Sequence, residues 1–194
     1  MEDKNQEVKF ICHSGGCLGA DMTWEVIGEE FDVNTIAYSF PGHTQYGTNP
    51  YILSAKELNE GFERVKIASL SLGMKISEYW PPSYVKKLLS RNWFQVKNSY
   101  GVFAIGTLKT HNTVNGGTGW AVQMAIDEKK LVFLFDQNKC HWFNYNYYTG
   151  VFEEISYIPI LTRQFAGIGT RKINDAGVRA IVDVYENMFG EKGT

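Results

Sequence analysis

Three times along the chain an apolar run of strand length meets a glycine-rich turn and then an amphipathic stretch of helical period. The first unit runs from a strand at Val8 to Cys12, through His13-Ser14-Gly15-Gly16-Cys17-Leu18-Gly19-Ala20-Asp21, into a helix over about Met22 to Phe31. The second joins Gly101 to Ile105, by way of the polar stretch Gly106 to Val114, to Asn115-Gly116-Gly117-Thr118-Gly119 and a helix from Trp120 to Ile126. The third passes from Pro159 to Phe165 through Ala166-Gly167-Ile168-Gly169-Thr170-Arg171 to a helix of about Asn174 to Phe189, capped by Asn174 or Asp175. Glycine lets the backbone turn tightly and leaves its N–H groups bare, while the following helix aims the positive end of its dipole at the same spot. One such turn is equally a plain strand-to-helix connection. Three of them in an open α/β sheet all lie at the carboxyl ends of the strands, where ligands bind at the switch in strand order. The repeated unit therefore predicts an α/β, Rossmann-like domain with an anion-binding edge.

The remaining segments fit that frame. Val33 to Phe40 reads as a buried strand closed by Pro41-Gly42-His43, and Thr44 to Leu53 as a polar loop. Ser54 with Glu57 three residues on is a capping-box pattern opening a helix to about Leu72. Trp80-Pro81-Pro82 breaks the chain, and Ser83 caps a helix through Asn98 in which Val85, Leu88, Leu89, Trp93, Phe94 and Val96 recur near helical spacing. Leu131 to Phe135 is a continuous apolar run, as expected of a strand covered on both faces. His141 to Glu154 alternates aromatic and polar residues around Thr149-Gly150 and predicts an exposed β-hairpin, an insertion over about residues 139–157. Its aromatics fit a half-buried hairpin better than a base-stacking surface. The expectation is a single domain over the 194 residues, a mainly parallel sheet flanked by helices with an added β-hairpin.

Composition narrows the function classes. A formal charge of −2 leaves no sequence-wide footprint for DNA or RNA. Cys12, Cys17 and Cys140 are odd in number and lack a C-x-x-C pair, which fits reduced thiols, and four scattered histidines give metal ligation little support. No run is long enough to cross a bilayer, and the polar, acidic start is unlike a signal peptide, so a cytoplasmic location is expected.

Ser14-Gly15-Gly16-Cys17-Leu18-Gly19-Ala20-Asp21 resembles the S/T-G-G-x-x-G-A-D turn of the SLOG superfamily, the Rossmann-like group that includes the DprA/Smf proteins and the LOG phosphoribohydrolases. Ala166-Gly167-Ile168-Gly169-Thr170-Arg171 resembles that group's A-G-x-G-S/T-R turn, and Asn115-Gly116-Gly117-Thr118-Gly119 its P-G-G-x-G-T phosphate loop. In the family the A-G-x-G-S/T-R turn comes first. Its place at the far end here implies a circular permutation, with the Asn174 to Phe189 helix leading in space toward the strand at Val8 and the two ends adjacent. LOG enzymes cleave the N-glycosidic bond between a base and ribose 5′-monophosphate. The resemblance assigns them a catalytic arginine, matched in position by Arg91, and a glutamate in P-G-G-x-G-T-x-x-E, where this chain carries Gln123. Asn115 also replaces the proline. An amide hydrogen-bonds a ribose hydroxyl but is not an anionic base.

Two readings follow. In the first the chain binds a nucleotide or nucleotide-derived signal and sequesters or senses it. Phosphates would sit on the N–H groups of Gly15, Gly16, Gly116, Gly117, Thr118 and Gly119, within turns completed by Gly19, Gly167 and Gly169. Ser14, Thr118 and Thr170 add hydroxyls, Arg91 or Arg171 a bidentate contact, and Asp21 an acceptor for a ribose hydroxyl or base N–H, if it does not simply serve the helix dipole. The superfamily's link to nucleotide signals in conflict and anti-phage systems implies cyclic nucleotides, ADP-ribose derivatives or NAD-like molecules as ligands, with no further cofactor. It also implies a homodimer or larger assembly.

In the second reading the chain is an N-glycosidase or nucleoside transferase, with carboxylates supplied by Asp21 and Glu25, one helical turn apart, or by Asp127 beyond Gln123. Such pairs are more often surface groups. Binding of single-stranded DNA is disfavoured by the absence of a basic stripe. Tyr38, Phe40, His43, Tyr46 and Tyr51 either cover a base, close the core or meet a second subunit.

Overall fold

The computed structural model describes residues 9–74 and 83–191; the Trp80-Pro81-Pro82 break and the Val8 end of the first strand lie outside the described residues. In chain order the elements are β1 (Ile11–Ser14), α1 (Ala20–Glu30), β2 (Asn34–Ser39), β3 (Pro50–Ile52), α2 (Ala55–Ser71), α3 (Tyr84–Lys97), β4 (Gly101–Gly106), α4 (Gly116–Asp127), β5 (Leu131–Asp136), β6 (His141–Asn146), β7 (Val151–Ile155), β8 (Gln164–Gly169) and α5 (Asp175–Phe189). They form one eight-stranded sheet in the order β3-β2-β1-β8-β4-β5-β6-β7, parallel except for β6 and β7. The chain winds outward to β3, returns to wind outward the other way through β4 and β5, and finally inserts β8 between β1 and β4.

Strand side chains point alternately to the two faces, and both faces are covered, so the central strands are apolar throughout. Val102, Ala104, Val132, Leu134, Ala166 and Ile168 pack beneath α2, α3 and α4. Phe103, Ile105, Phe133, Phe135 and Phe165 alternate with them and pack beneath α1 and α5, against Trp24, Ile181, Val184 and Tyr185. Trp24 is completely buried and meets Phe103, Phe165 and Tyr185 edge-on, each such pair adding about 1 kcal/mol beyond the area it removes from water.

The capping box at Ser54 forms as its sequence predicts: the Glu57 N–H donates to Ser54 Oγ at 3.3 Å, and the Ser54 N–H to Glu57 Oε2 at 2.7 Å. Asn174 caps α5 through the Gly177 N–H. The ends of the described chain are neighbours, with the Phe10 and Phe189 rings 5.1 Å apart.

Several boundaries differ from expectation. His13 and Ser14 belong to β1 rather than to the turn. The second glycine run is not a loop before α4 but its first turn, which begins at Gly116. Ala166-Gly167-Ile168-Gly169 is strand, not turn: β8 starts at Gln164 rather than Pro159, and a Cβ at Gly167 would lie 2.6 Å from the Trp24 ring. Glycine is needed there because Trp24 and Cys12 pack directly against the strand. Residues 50–52 form an edge strand inside the segment expected to be loop. The expected β-hairpin forms as β6 and β7, and it is less exposed than expected: β6 pairs with β5, extending the sheet, and Trp142, Phe143 and Phe152 are buried.

Candidate functional site

Because β8 separates β1 from β4, the connections after these strands diverge at the carboxyl edge and leave a crevice between them. A cleft of about 570 Å³ opens there. Its walls are the ends of β4 and β8 at Gly106 and Gly169, the start of α1, a stripe of α3, the first turn of α4, and the segment from Thr170 to Asn174. Among its described lining residues Asp21 is the one carboxylate, against Arg91, Arg171 and Lys172.

The α3 stripe consists of Leu88, Arg91, Asn92 and Gln95, spaced three or four residues apart so that they share a face. Arg91, Asn92 and Gln95 are buried, and two of their polar groups have no hydrogen-bond partner in the protein: Arg91 Nε and Gln95 Nε2. A buried donor left unmade costs about 1–3 kcal/mol, and both donors belong to residues that line the cleft. Opposite the stripe, α4 begins without a side-chain cap. The Asn115 amide donates instead to Thr107 Oγ1, and Asn92 Nδ2 reaches only the Gly117 carbonyl. Gly116, Gly117 and Thr118 line the cleft, and a Cβ at either glycine would meet no atom within 4 Å. An uncapped helix start, with the positive end of the helix dipole behind it, can receive an anion.

The first glycine turn is closed. Ser14 Oγ donates to Glu25 Oε1 at 2.5 Å and accepts from the Gly16 N–H at 3.2 Å. The Gly16 carbonyl accepts from the Tyr46 N–H, and the Gly15 carbonyl from Arg91 Nη1. The start of α1 is satisfied internally, Ala20 N–H donating to the Thr170 carbonyl and Met22 N–H to that of Cys17. Ser14, Gly15, Gly16 and Glu25 are buried away from the cleft, and Gly19 is pressed against the backbone of Thr170 and Arg171. The expectation that phosphates sit on Gly15 and Gly16, with the Ser14 hydroxyl as donor, is corrected for this cleft: none of the three residues lines it, the Gly16 N–H is taken by Ser14 Oγ, and the Ser14 hydroxyl is taken by Glu25. Asp21 does face the cleft. Its Oδ1 accepts from the Gly169 N–H at 3.2 Å, and its Oδ2 lies 3.9 Å from Arg91 Nη2.

Burial dominates the acid–base behaviour of this corner. It pushes the Asp21 carboxyl upward against the opposing pull of Arg91, and raises Glu25 to about 7 despite the Ser14 hydrogen bond. Burial, with Arg91 and Arg171 nearby, pulls His43 down to about 4, so its imidazole is neutral at pH 7.

The remaining expected site residues divide cleanly. Gly116, Gly117, Thr118, Gly169, Thr170 and Arg171 come together with Asp21 and Arg91 around the cleft. Arg91 is largely engaged within the protein, Nη1 donating to the Gly15 carbonyl and the Cys17 sulfur and Nη2 to Asn92 Oδ1, while Nε has no partner. Gly119 lies beneath the Val114 carbonyl, where a Cβ would collide, and Gly167 lies under Trp24. Gln123 is turned away: its Nε2 donates to Asp127 Oδ1 at 2.9 Å, and Asp127 also accepts from Ser71. Neither replaces a catalytic carboxylate, since neither borders the cleft. Of the aromatic cluster, Tyr38 and Phe40 are buried in packing and none borders the cleft; Tyr38 and Tyr51 instead line a separate cavity of about 380 Å³ with His13. Sequence reasoning missed Cys17, Asn92, Gln95, Gln137 and Lys172. The signal for two of them was present: Asn92 and Gln95 continue the face of Leu88, where an ordinary helix places apolar residues.

Comparison of the chain with protein families, with curated proteins and with solved structures yields no match.

Proposed function

We propose that the chain binds a nucleotide or nucleotide-derived signalling molecule in this cleft and sequesters or senses it, in keeping with the resemblance of its glycine motifs to the SLOG superfamily. The observation that carries this reading is the pairing of an uncapped α4 start with unpartnered, buried Arg91 Nε and Gln95 Nε2 across one cleft. A phosphate takes the N–H groups of Gly116, Gly117 and Thr118, and Arg171 and Lys172 hold charge at the mouth. The volume suits a molecule of mononucleotide size. Asp21, already fixed by Gly169, accepts from a sugar hydroxyl or base N–H.

A LOG-type N-glycosidase is the second reading, and one observation favours it: Asp21 is a buried carboxyl with a raised proton affinity on the cleft wall. Incubation with mono-, di- and cyclic nucleotides, NAD and ADP-ribose, followed by denaturation and mass detection, separates the two. Intact ligand at stoichiometric level supports binding. Released base or sugar phosphate, abolished by Asp21→Asn, supports the hydrolase, and retention of nothing in the panel overturns both. Gln123→Glu changes neither outcome, because residue 123 faces Asp127.

A further inference from the structure

The cleft changes character with depth. Gly116, Gly117, Arg171 and Lys172 are exposed, so the open start of α4 and two basic side chains lie at its mouth. Gln95, Gly106, Ala121 and Ile168, from α3, β4, α4 and β8, are buried and form its floor. Asp21 and Arg91 are buried on the wall as ions of opposite sign, 3.9 Å apart, and offset each other. A phosphate is drawn to the mouth, because at the floor it would give up its hydration to an apolar surface. The part of a ligand that reaches the floor is uncharged.

Of the four floor residues only Gln95 carries polar side-chain atoms. It is 1% exposed, and its Nε2 has no hydrogen-bond partner. Folding alone does not call for it: an apolar side chain of similar size in its place would remove a buried donor that is left unmade. A carboxamide offers a donor and an acceptor side by side, and a half-turn about its last bond exchanges them. That is the pattern with which a glutamine pairs to the edge of a heterocyclic base.

We propose that Gln95 determines which ligand the cleft accepts, by reading the hydrogen-bonding edge of a nucleobase seated on the floor. The phosphate of the same ligand then lies outermost, at the start of α4. This inference deepens the nucleotide reading of the cleft and rests on it. Ala121 and Ile168 supply apolar surface for the base but do not tell one base from another. The Gln95 carboxamide does, since a base that matches it gains hydrogen bonds and one that does not leaves a buried polar group unpaired.

The test measures, by calorimetry on the full chain, the affinities for inorganic phosphate, ribose 5-phosphate and the adenine, guanine, cytosine and uracil nucleoside 5′-monophosphates. At least one mononucleotide is expected to bind about tenfold or more tightly than ribose 5-phosphate, and about tenfold more tightly than the weakest of the other three. Gln95→Leu is expected to remove that preference, to leave the affinity for ribose 5-phosphate unchanged, and to leave resistance to urea unchanged or raised. Mononucleotides that bind within about threefold of one another and of ribose 5-phosphate overturn the inference in the unmodified protein, while the anion site stands. A base preference that survives in Gln95→Leu overturns it too, as does an equal loss of affinity for ribose 5-phosphate, which would make Gln95 a support for the shape of the cleft. Binding of none of these probes overturns the inference together with the nucleotide reading beneath it.

Discussion

At Gly15 a Cβ would fall 2.5 Å from the Arg91 guanidinium, and at Gly16 2.7 Å from the Gln45 amide oxygen; at Gly116 and Gly117 it would meet nothing within 4 Å. The turn after β1 and the start of α4 carry similar strings of glycines, yet the first spends its bareness on close packing and the second leaves it open to solvent. What separates them is the neighbour. The first turn lies under an arginine from α3 and the segment around Gln45 and Gly47, which use its carbonyls, while the Gly16 N–H is taken by Ser14 Oγ. The second has only the Asn92 amide near it, on a carbonyl. A glycine motif thus states that the backbone is approached closely, and the fold decides whether the visitor is another side chain or a ligand.

The largest effect is expected where the first turn is broken. Arg91 and Asp21 are both at most 7% exposed as side chains, and Arg91 also holds the Gly15 carbonyl and Cys17. Arg91→Met leaves Asp21 buried without its cation and costs about 4 kcal/mol of stability, read by urea denaturation. If the cost is under 1 kcal/mol, the first turn is not clamped and the contrast with α4 fails.

Glu25 sharpens the same contrast from below. Its carboxyl titrates near 7 in the folded chain against an ordinary 4.5, because burial disfavours the charge. Between those values the folded state holds a proton that the unfolded state has lost. Stability from this group is therefore greatest below about pH 4.5 and falls as pH rises to 7, by about 3 kcal/mol in all. Glu25→Gln, which keeps an acceptor for Ser14 Oγ, removes that slope. His43 works in the opposite sense, its depressed value weakening the fold as pH drops from 6.5 toward 4. The measurement is accordingly the difference between the two proteins' stability–pH curves, in which His43 cancels.

Much of the fold was legible because its signals are local. Ser54 with Glu57, Ser83 and Asn174 mark helix starts that the structure reproduces, and the continuous apolar run Leu131 to Phe135 foretold a strand covered on both faces. The site was legible only in part. Gly116 to Thr118 and Arg171 were found by motif, but Gln95, Asn92 and Cys17 enter through tertiary contacts that no spacing encodes. Gln123 illustrates the converse. One residue's offset in counting along a helix turns a side chain by about 100°, so a match by position did not fix the direction it faces. The glycines at 167 and 169 were misread for a related reason: a strand that must pass under Trp24 and Ala20 needs bareness as much as a turn does.

The smallest change in stability is expected at Gly117, and it bears most directly on function. The position lies in the first turn of α4, has no positive φ, and offers open space to a Cβ. Alanine there suits the helix, so Gly117→Ala leaves stability unchanged or raises it by less than about 1 kcal/mol. The new methyl stands in the cleft where a phosphate would approach the bare N–H groups, and affinity for whichever nucleotide the panel recovers falls about tenfold. A stable Gly117→Ala protein that has lost its ligand assigns the open glycines to binding. One that binds as well as the unmodified chain makes the start of α4 a helix end like any other, and the cleft's anion would then have to rest on Arg171, Lys172 and Arg91 Nε alone.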